Sequence, residues 1–301
     1  FDDRFDLGHG RSGRFLASDL GTLATNLLRS IRGLIRLRCN FMTNSFIPFV
    51  SQVSLNPRQH LDANTFPGNL GFCRDLQLEF NAAVTFFVGE NGSGKSTLLE
   101  AIAVLADLPI AGGGTAETGS NHAFPEESPL ADGLRLGFQR QPRDRYFFRA
   151  ENQAHFASLL EQRNIDPYFL TAAEVRADPF EAYGGKSLHH RSHGEAFLSV
   201  FENRFHAGLM LMDEPESALS PKRQLALLSQ MHTMVEAGNT QFIIATHSPI
   251  LLTFPGATVI SFDHGDLRQI DYADTDHFRI ARMILNNPER YWEHFTQDSD
   301  P

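Results

Sequence analysis

The stretch Val84-Thr85-Phe86-Phe87-Val88-Gly89-Glu90-Asn91-Gly92-Ser93-Gly94-Lys95-Ser96-Thr97 decides how the rest of the chain is read. Five β-branched or aromatic residues enter a glycine-rich turn, and Leu98-Leu99-Glu100-Ala101-Ile102-Ala103-Val104-Leu105 leaves it as a strong helix former. Strand, turn and helix in that order form a phosphate loop. Its glycines let successive N–H groups point inward at a helix N-terminus, where the dipole also favours an anion. In such a loop Gly89, Glu90, Asn91, Gly92, Ser93 and Gly94 wrap the phosphates, Lys95 reaches the β- and γ-phosphates, Ser96 binds Mg²⁺, and Thr97 adds a phosphate contact. The alternative is a plain turn with Lys95 in solvent. A four-point match to G-x-x-x-x-G-K-[ST] arises by chance in roughly one chain in a hundred of this length, and the flanking strand and helix favour the phosphate loop.

Composition narrows the setting. With 301 residues and 42% hydrophobic content the chain is long enough for one large α/β domain. No apolar run reaches the roughly 18–20 residues of a membrane span. A transport role would therefore need separate membrane subunits. Cys39 and Cys73 have neither zinc-type spacing nor the number for a disulfide framework, which suits a reducing cytoplasm. The formal charge is −10, which argues against a generally basic nucleic-acid surface and leaves room only for a local patch. Residues 1–41 hold seven Arg and four Asp, a balance of +3, so residues 42–301 carry −13.

Residues 1–41 do not begin with Met and place Arg29, Arg32 and Arg36 at helical spacing. A short amphipathic membrane-surface helix fits that spacing; a disordered or non-native extension before Met42 is the simpler expectation, leaving 42–301 as a single domain. From Phe46 onward, period-two alternation in Ser51–Leu55 and Leu76–Phe80 predicts an N-terminal antiparallel layer. Phe66 and Phe72 there are candidates to stack on adenine, with core packing as the plainer role. Ala111 to Gly133, rich in Gly, Ser, Glu and Pro, is expected to be a long mobile loop without core. Strands are expected at 134–138 and 146–148, helices at 151–163 and in fragments over 167–185. Beyond these, helices near 195–206, 222–236, 276–285 and 288–295 alternate with strands at 209–213, 241–245, 258–261 and 267–270. That alternation predicts a largely parallel sheet flanked by helices.

Three further pieces carry chemistry. Leu209-Met210-Leu211-Met212-Asp213-Glu214 is a buried-type strand ending in two carboxylates. Asp213 would hold Mg²⁺, and Glu214 would orient or deprotonate the attacking water; capping of the next helix is the alternative. His247, after the strand Gln241–Ala245, is placed to touch the γ-phosphate or position the water, although a lone histidine is more often structural. Ser192-His193-Gly194-Glu195 is an S-x-x-E capping box, and the N–H groups of a helix start can also receive a γ-phosphate. His189, His190 and His193 lack the partners a zinc site needs.

The ordered set Gly89–Thr97, Ser192-His193-Gly194-Glu195, Leu209–Glu214, Ser217-Ala218-Leu219-Ser220 and His247 resembles the ABC-type ATPases. More closely, TFFVGENGSGKSTLLEAIA, SHGEAFL, LMDEPESALSPKRQLALL and FIIATHSPILL resemble compact bacterial AAA-type ATPases related to RecF and the structural-maintenance-of-chromosomes branch, over roughly residues 46–295. The resemblance implies the ABC-type P-loop NTPase fold, ATP and Mg²⁺ as ligands, and an ATP-dependent head-to-tail homodimer. Ser192 and Gly194 of one copy would then close over the nucleotide held by Lys95, Ser96 and Asp213 of the other. It further implies a glutamine near Mg²⁺; Gln139, directly after a strand, is preferred over Gln141. His193, Glu195 and Ser220 depart from the transporter pattern. About 95 residues separate Ser96 from Ser192, too few for a long coiled-coil arm. A soluble ATPase is the leading expectation, with a transporter's nucleotide-binding subunit or a DNA-maintenance or defence ATPase as alternatives.

Overall fold

In a computed structural model the described residues are 46–110, 112–114, 128–152, 190, 192–205 and 207–297. All fall within one unit, Phe46–Pro301. The readings made for 1–41, and most of those for 151–185, lie outside the described residues.

Two sheets face each other across one helix. The smaller contains β1 (Val50–Leu55), β2 (Gln77–Glu79) and β5 (Leu134–Phe138), in the order β2-β1-β5 and antiparallel throughout. The larger, counted among the described residues, has seven strands: β3 (Val84–Val88), β4 (Gly113–Gly114), β6 (Arg145–Arg149), β7 (Gly208–Asp213), β8 (Thr240–Ala245), β9 (Thr258–Ser261) and β10 (Arg268–Ile270). Their order is β10-β9-β3-β8-β7-β6-β4. The five inner strands run parallel, and the two outer ones are antiparallel. β3, β7 and β8 are buried along their whole length, as central strands covered on both faces must be.

Between the sheets lies α1 (Lys95–Leu105), with Leu98, Leu99, Ala101, Ile102 and Ala103 fully buried. They join Val50, Val53 and Leu78 of the small sheet to Leu209, Leu211 and Ile243 of the large one in a single apolar core. Five fully buried positions on an eleven-residue helix leave little of it for solvent, so α1 is clamped rather than merely laid on a surface. A side chain also joins the two sheets: Gln241, fully buried in β8, accepts the N–H groups of Phe49 and Val50 at 2.9 Å and donates to Val50 O at 2.9 Å. These bonds give partners to backbone groups at the start of β1, the central strand of the small sheet.

The second half follows the expected alternation: α3 (His193–Arg204), α4 (Pro221–Glu236), α5 (Asp276–Asn286) and α6 (Pro288–Gln297). The glycine-rich segment does not. Gly113–Gly114 forms the edge strand β4 against β6, and Pro129–Asp132 forms a one-turn helix, α2, with Leu130 and Ala131 in the core. Leu130 and Ala131 are a short apolar pair inside a polar run, so composition hid them.

Candidate nucleotide-binding site

Parallel strands end on one side of their sheet, and there the predicted residues gather. The loop Gly89–Gly94 leaves β3 with Gly89, Gly92 and Gly94 at φ +143°, +80° and +97°, conformations that other residues rarely adopt. Gly94 is doubly constrained, because a Cβ there would stand 2.7 Å from Cε1 of Phe72. Phe72 is buried beneath the loop and packs edge-on against Phe262. It is a core residue; Phe66 is 63% exposed.

Lys95 opens α1 and is only 5% exposed. Its ammonium donates to Gly89 O at 2.7 Å and Glu90 O at 2.9 Å, which curls it back over the loop. Burial lowers its pKa, while Glu214, Asp213, Asp263 and Glu90 oppose that shift. Asp263, just after β9, fastens the loop from outside: its carboxylate accepts Glu90 N–H at 2.9 Å and the Ser261 hydroxyl at 2.8 Å.

Ser96 Oγ donates to Asp213 Oδ1 at 2.9 Å. Burial pushes the Asp213 carboxyl up to about 6, against the pull of Arg149 and Ser96. A hydroxyl and a buried carboxylate side by side are a fit pair of donors for a hard cation that keeps water and phosphate oxygens as its other ligands. Among the described residues no group of three or more His, Cys, Asp and Glu could hold a metal by itself.

Glu214 adopts φ +47°, ψ +52°, uncommon for a residue with a Cβ. Its N–H donates to Ala245 O at 2.9 Å, which ties the turn to β8 and aims the carboxylate at His247. His247 Nε2 lies 3.6 Å from Glu214 Oε1, a charge contact rather than a hydrogen bond. The backbone N–H of His247 donates to Glu216 Oε1 at 2.6 Å, and its Nδ1 meets His277 Nε2 at 2.8 Å. Burial, Lys95 and His277 all lower the His247 pKa, with Glu214 and Glu90 opposing.

The capping box is present at the start of α3. Glu195 accepts both the N–H and the hydroxyl of Ser192 at 2.9 Å and pairs with Arg223 of α4 at 2.9 Å. Hence the glutamate has a use of its own at this position. Gly194 packs so closely on the following turn that a Cβ would stand 2.7 Å from Ala218 O. Ser192 and Gly194 line one open cavity of about 540 Å³ with Ser96, Arg149, Asp213 and Glu214.

Gln139 is not brought to this cluster. Its N–H donates to Phe49 O, and neighbouring Arg140 donates to Gly238 O, just before β8 begins. Gln141 accepts from Arg145, the first residue of β6. Both glutamines therefore sit by the amino ends of the parallel strands, opposite the phosphate loop. The strand beside β7 is β6, whose last residue Arg149 is in register with Asp213. Its guanidinium pairs with Glu100 at 2.7 Å and with Glu151, and its Nε lies 3.7 Å from Asp213 Oδ2. Sequence reasoning missed Arg149, Asp263 and His277; only the polar residue ending the strand Tyr146–Phe148 could have suggested the first.

Fold and loop together define a P-loop nucleotide-binding protein. Two family models narrow this: one described as "AAA domain" matches residues 68–127, and one described as "AAA domain, putative AbiEii toxin, Type IV TA system" matches residues 187–253. The chain therefore carries a P-loop domain, two stretches of which are similar to AAA-domain models. No curated protein matches it. Solved structures similar to it include cbiO1 of Clostridium perfringens, part of the ABC transporter complex cbiONQ, at 18% identity over 82% of this chain and 99% of that one, with a TM-score of 0.44. The ADP conformation of the ABC-transporter cassette MJ1267 is 16% identical over 80% and 97%, TM-score 0.45. The SMC head domain of Thermotoga maritima is 14% identical over 74% and 99%, TM-score 0.40. No described helix is long and apolar enough to cross a membrane.

Proposed function

We propose that this chain binds ATP with Mg²⁺, hydrolyses it, and cycles between a monomer and an ATP-dependent head-to-tail homodimer. The observation that carries the reading is the Ser96–Asp213 hydrogen bond of 2.9 Å at the root of the phosphate loop, with Glu214 next in the chain. The N–H groups of Gly89–Gly94 and the Lys95 ammonium would bind the β- and γ-phosphates, the ammonium exchanging its carbonyl partners for phosphate oxygens. Ser96 and Asp213 would hold Mg²⁺, which supplies charge neutralisation between those phosphates. Glu214 would accept a proton from the attacking water, while His247 donates to the transferring group. Arg149, rather than a glutamine, would then flank the metal carboxylate.

The dimer reading is supported by Ser192, which lies exposed at the start of α3, where a second copy's γ-phosphate can reach it. A single ATPase domain from residue 42 onward and a cytoplasmic location belong to the same proposal. The test is Glu214→Gln with Mg-ATP on size-exclusion chromatography: a dimer that reverts to monomer when nucleotide is removed is expected, and a species that stays monomeric at saturating ATP removes the dimer. Whatever protein or nucleic acid the trapped form retains identifies the work that the cycle performs.

A further inference from the structure

His277 has no place in the phosphate-loop motifs, yet it touches the site. It lies in the first turn of α5, and that turn is firmly built. Thr275, 2% exposed, accepts Phe278 N–H at 3.3 Å and donates to Tyr272 O at 2.7 Å, and the preceding turn is capped by Asp271, which accepts Ala273 N–H at 2.8 Å. From there His277 Nε2 meets His247 Nδ1 at 2.8 Å, the ring centroids 4.9 Å apart and the planes inclined by 56°.

A hydrogen bond between two neutral imidazoles contains one proton, so the pair has two arrangements. If His247 Nδ1 donates, its Nε2 carries a bare lone pair facing the Glu214 carboxylate 3.6 Å away, which is repulsive. If His277 Nε2 donates, His247 is protonated at Nε2 and presents an N–H to that carboxylate. The second arrangement is favoured. His247 Nε2 is also buried without a hydrogen-bond partner among the described residues. The backbone that carries the ring is itself held, since the His247 N–H donates to Glu216 Oε1 at 2.6 Å.

We infer that His277 is a positioning residue for ATP hydrolysis: through its 2.8 Å hydrogen bond it holds His247 as the Nε2–H tautomer, aimed at the γ-phosphate beside Glu214. The inference rests on the ATPase reading above. His277 itself touches no substrate. Its effect belongs to the chemical step and not to nucleotide affinity, since the phosphate loop and Lys95 hold the ground state without it. Partners that fix the tautomer of metal-bound histidines are worth roughly 10- to 100-fold, and the same scale is taken for His277.

Two variants and two readouts decide it. His277→Phe keeps the ring and removes the donor, and His277→Gln retains an amide N–H at the reach of Nε2. With the full chain, His277→Phe is expected to lower kcat about 10- to 100-fold with ATP affinity, measured with a fluorescent ATP analogue, unchanged within about twofold, and His277→Gln is expected to restore most of the loss. In the nucleotide-free protein, ¹⁵N imidazole NMR should show His247 protonated at Nε2 in wild type and a tautomer mixture in His277→Phe. An unchanged kcat, an equal loss of ATP affinity, or a His247 proton on Nδ1 in wild type overturns the inference. A wild type that binds ATP without hydrolysing it sinks the hydrolysis reading instead, and the NMR result still decides what His277 does to His247.

Discussion

The two ends of the parallel strands have opposite uses. At the carboxyl ends stand Lys95, Ser96, Arg149, Asp213, Glu214 and His247, in backbone and charge arrangements that are costly for stability: left-handed φ at Glu214, a cation and a carboxylate almost wholly buried. At the amino ends several polar side chains bond to the backbone of neighbouring elements. Gln241 bonds three backbone groups of Phe49 and Val50, while Arg145 donates to Ala106 O at 2.9 Å and pairs with Asp107 at 3.0 Å. On the proposed reading, polar residues of similar type would thus serve nucleotide binding at one end and assembly at the other. Which role each plays is set by the end of the strand it occupies.

Lys95→Ala should have the largest effect on the functional end. Hydrogen bonds to a charged group are worth about 1.5–3 kcal/mol each, and a tenfold change in affinity is about 1.4 kcal/mol. ATP affinity measured by calorimetry should therefore fall at least about 100-fold. The melting temperature should stay the same or rise, because the variant no longer buries a cation that burial itself disfavours. A large loss of stability would show that Lys95 belongs with the structural end.

Gln241→Leu gives the converse. Leucine fills similar space but removes the Gln241 partners of the Phe49 and Val50 N–H groups and of the Val50 carbonyl in the interior. At about 1–3 kcal/mol for a buried group left unsatisfied, partly relieved by local shifts, the expected loss is about 2–4 kcal/mol in urea unfolding. ATP affinity of the folded protein should hold within about threefold, as expected of a change at the far end of the strand. An affinity loss as large as that of Lys95→Ala would break the comparison.

Much of this was legible in the sequence because the motif is local. Gly89–Thr97 supplies its own strand, turn and helix, and Asp213-Glu214 and His247 each follow an apolar run that can only be an inner strand. Arg149, Asp263 and His277 were not legible. Each acts through pairing across strands or through a distant helix: Arg149 by its register with Asp213, Asp263 by reaching back across about 170 residues to Glu90, and His277 by the packing of α5 on the turn after β8. Gln241 stands at the head of an apolar run and read as the first residue of a strand, since nothing local announces that the start of β1 in a second sheet meets it. Leu130 and Ala131 were hidden in the same way by their polar flanks.

Gln139 makes the sharpest case, because two short strands of like composition, β5 and β6, lie seven residues apart with a polar connection between them. Local pattern gives no means of deciding which of them joins the sheet that carries the phosphate loop. β5 pairs with β1 and delivers Gln139 to the amino end; β6 pairs with β7 and delivers Arg149 beside Asp213. Gln139→Ala should accordingly change kcat by less than about twofold and stability by no more than about 0.5 kcal/mol, the range for an exposed side chain away from special features. Activity with Mg²⁺ varied at fixed ATP checks this directly. A raised Mg²⁺ requirement in Gln139→Ala would mean that the glutamine reaches the metal after all, and that the strand pairing which assigns β5 to the small sheet is the feature to give up.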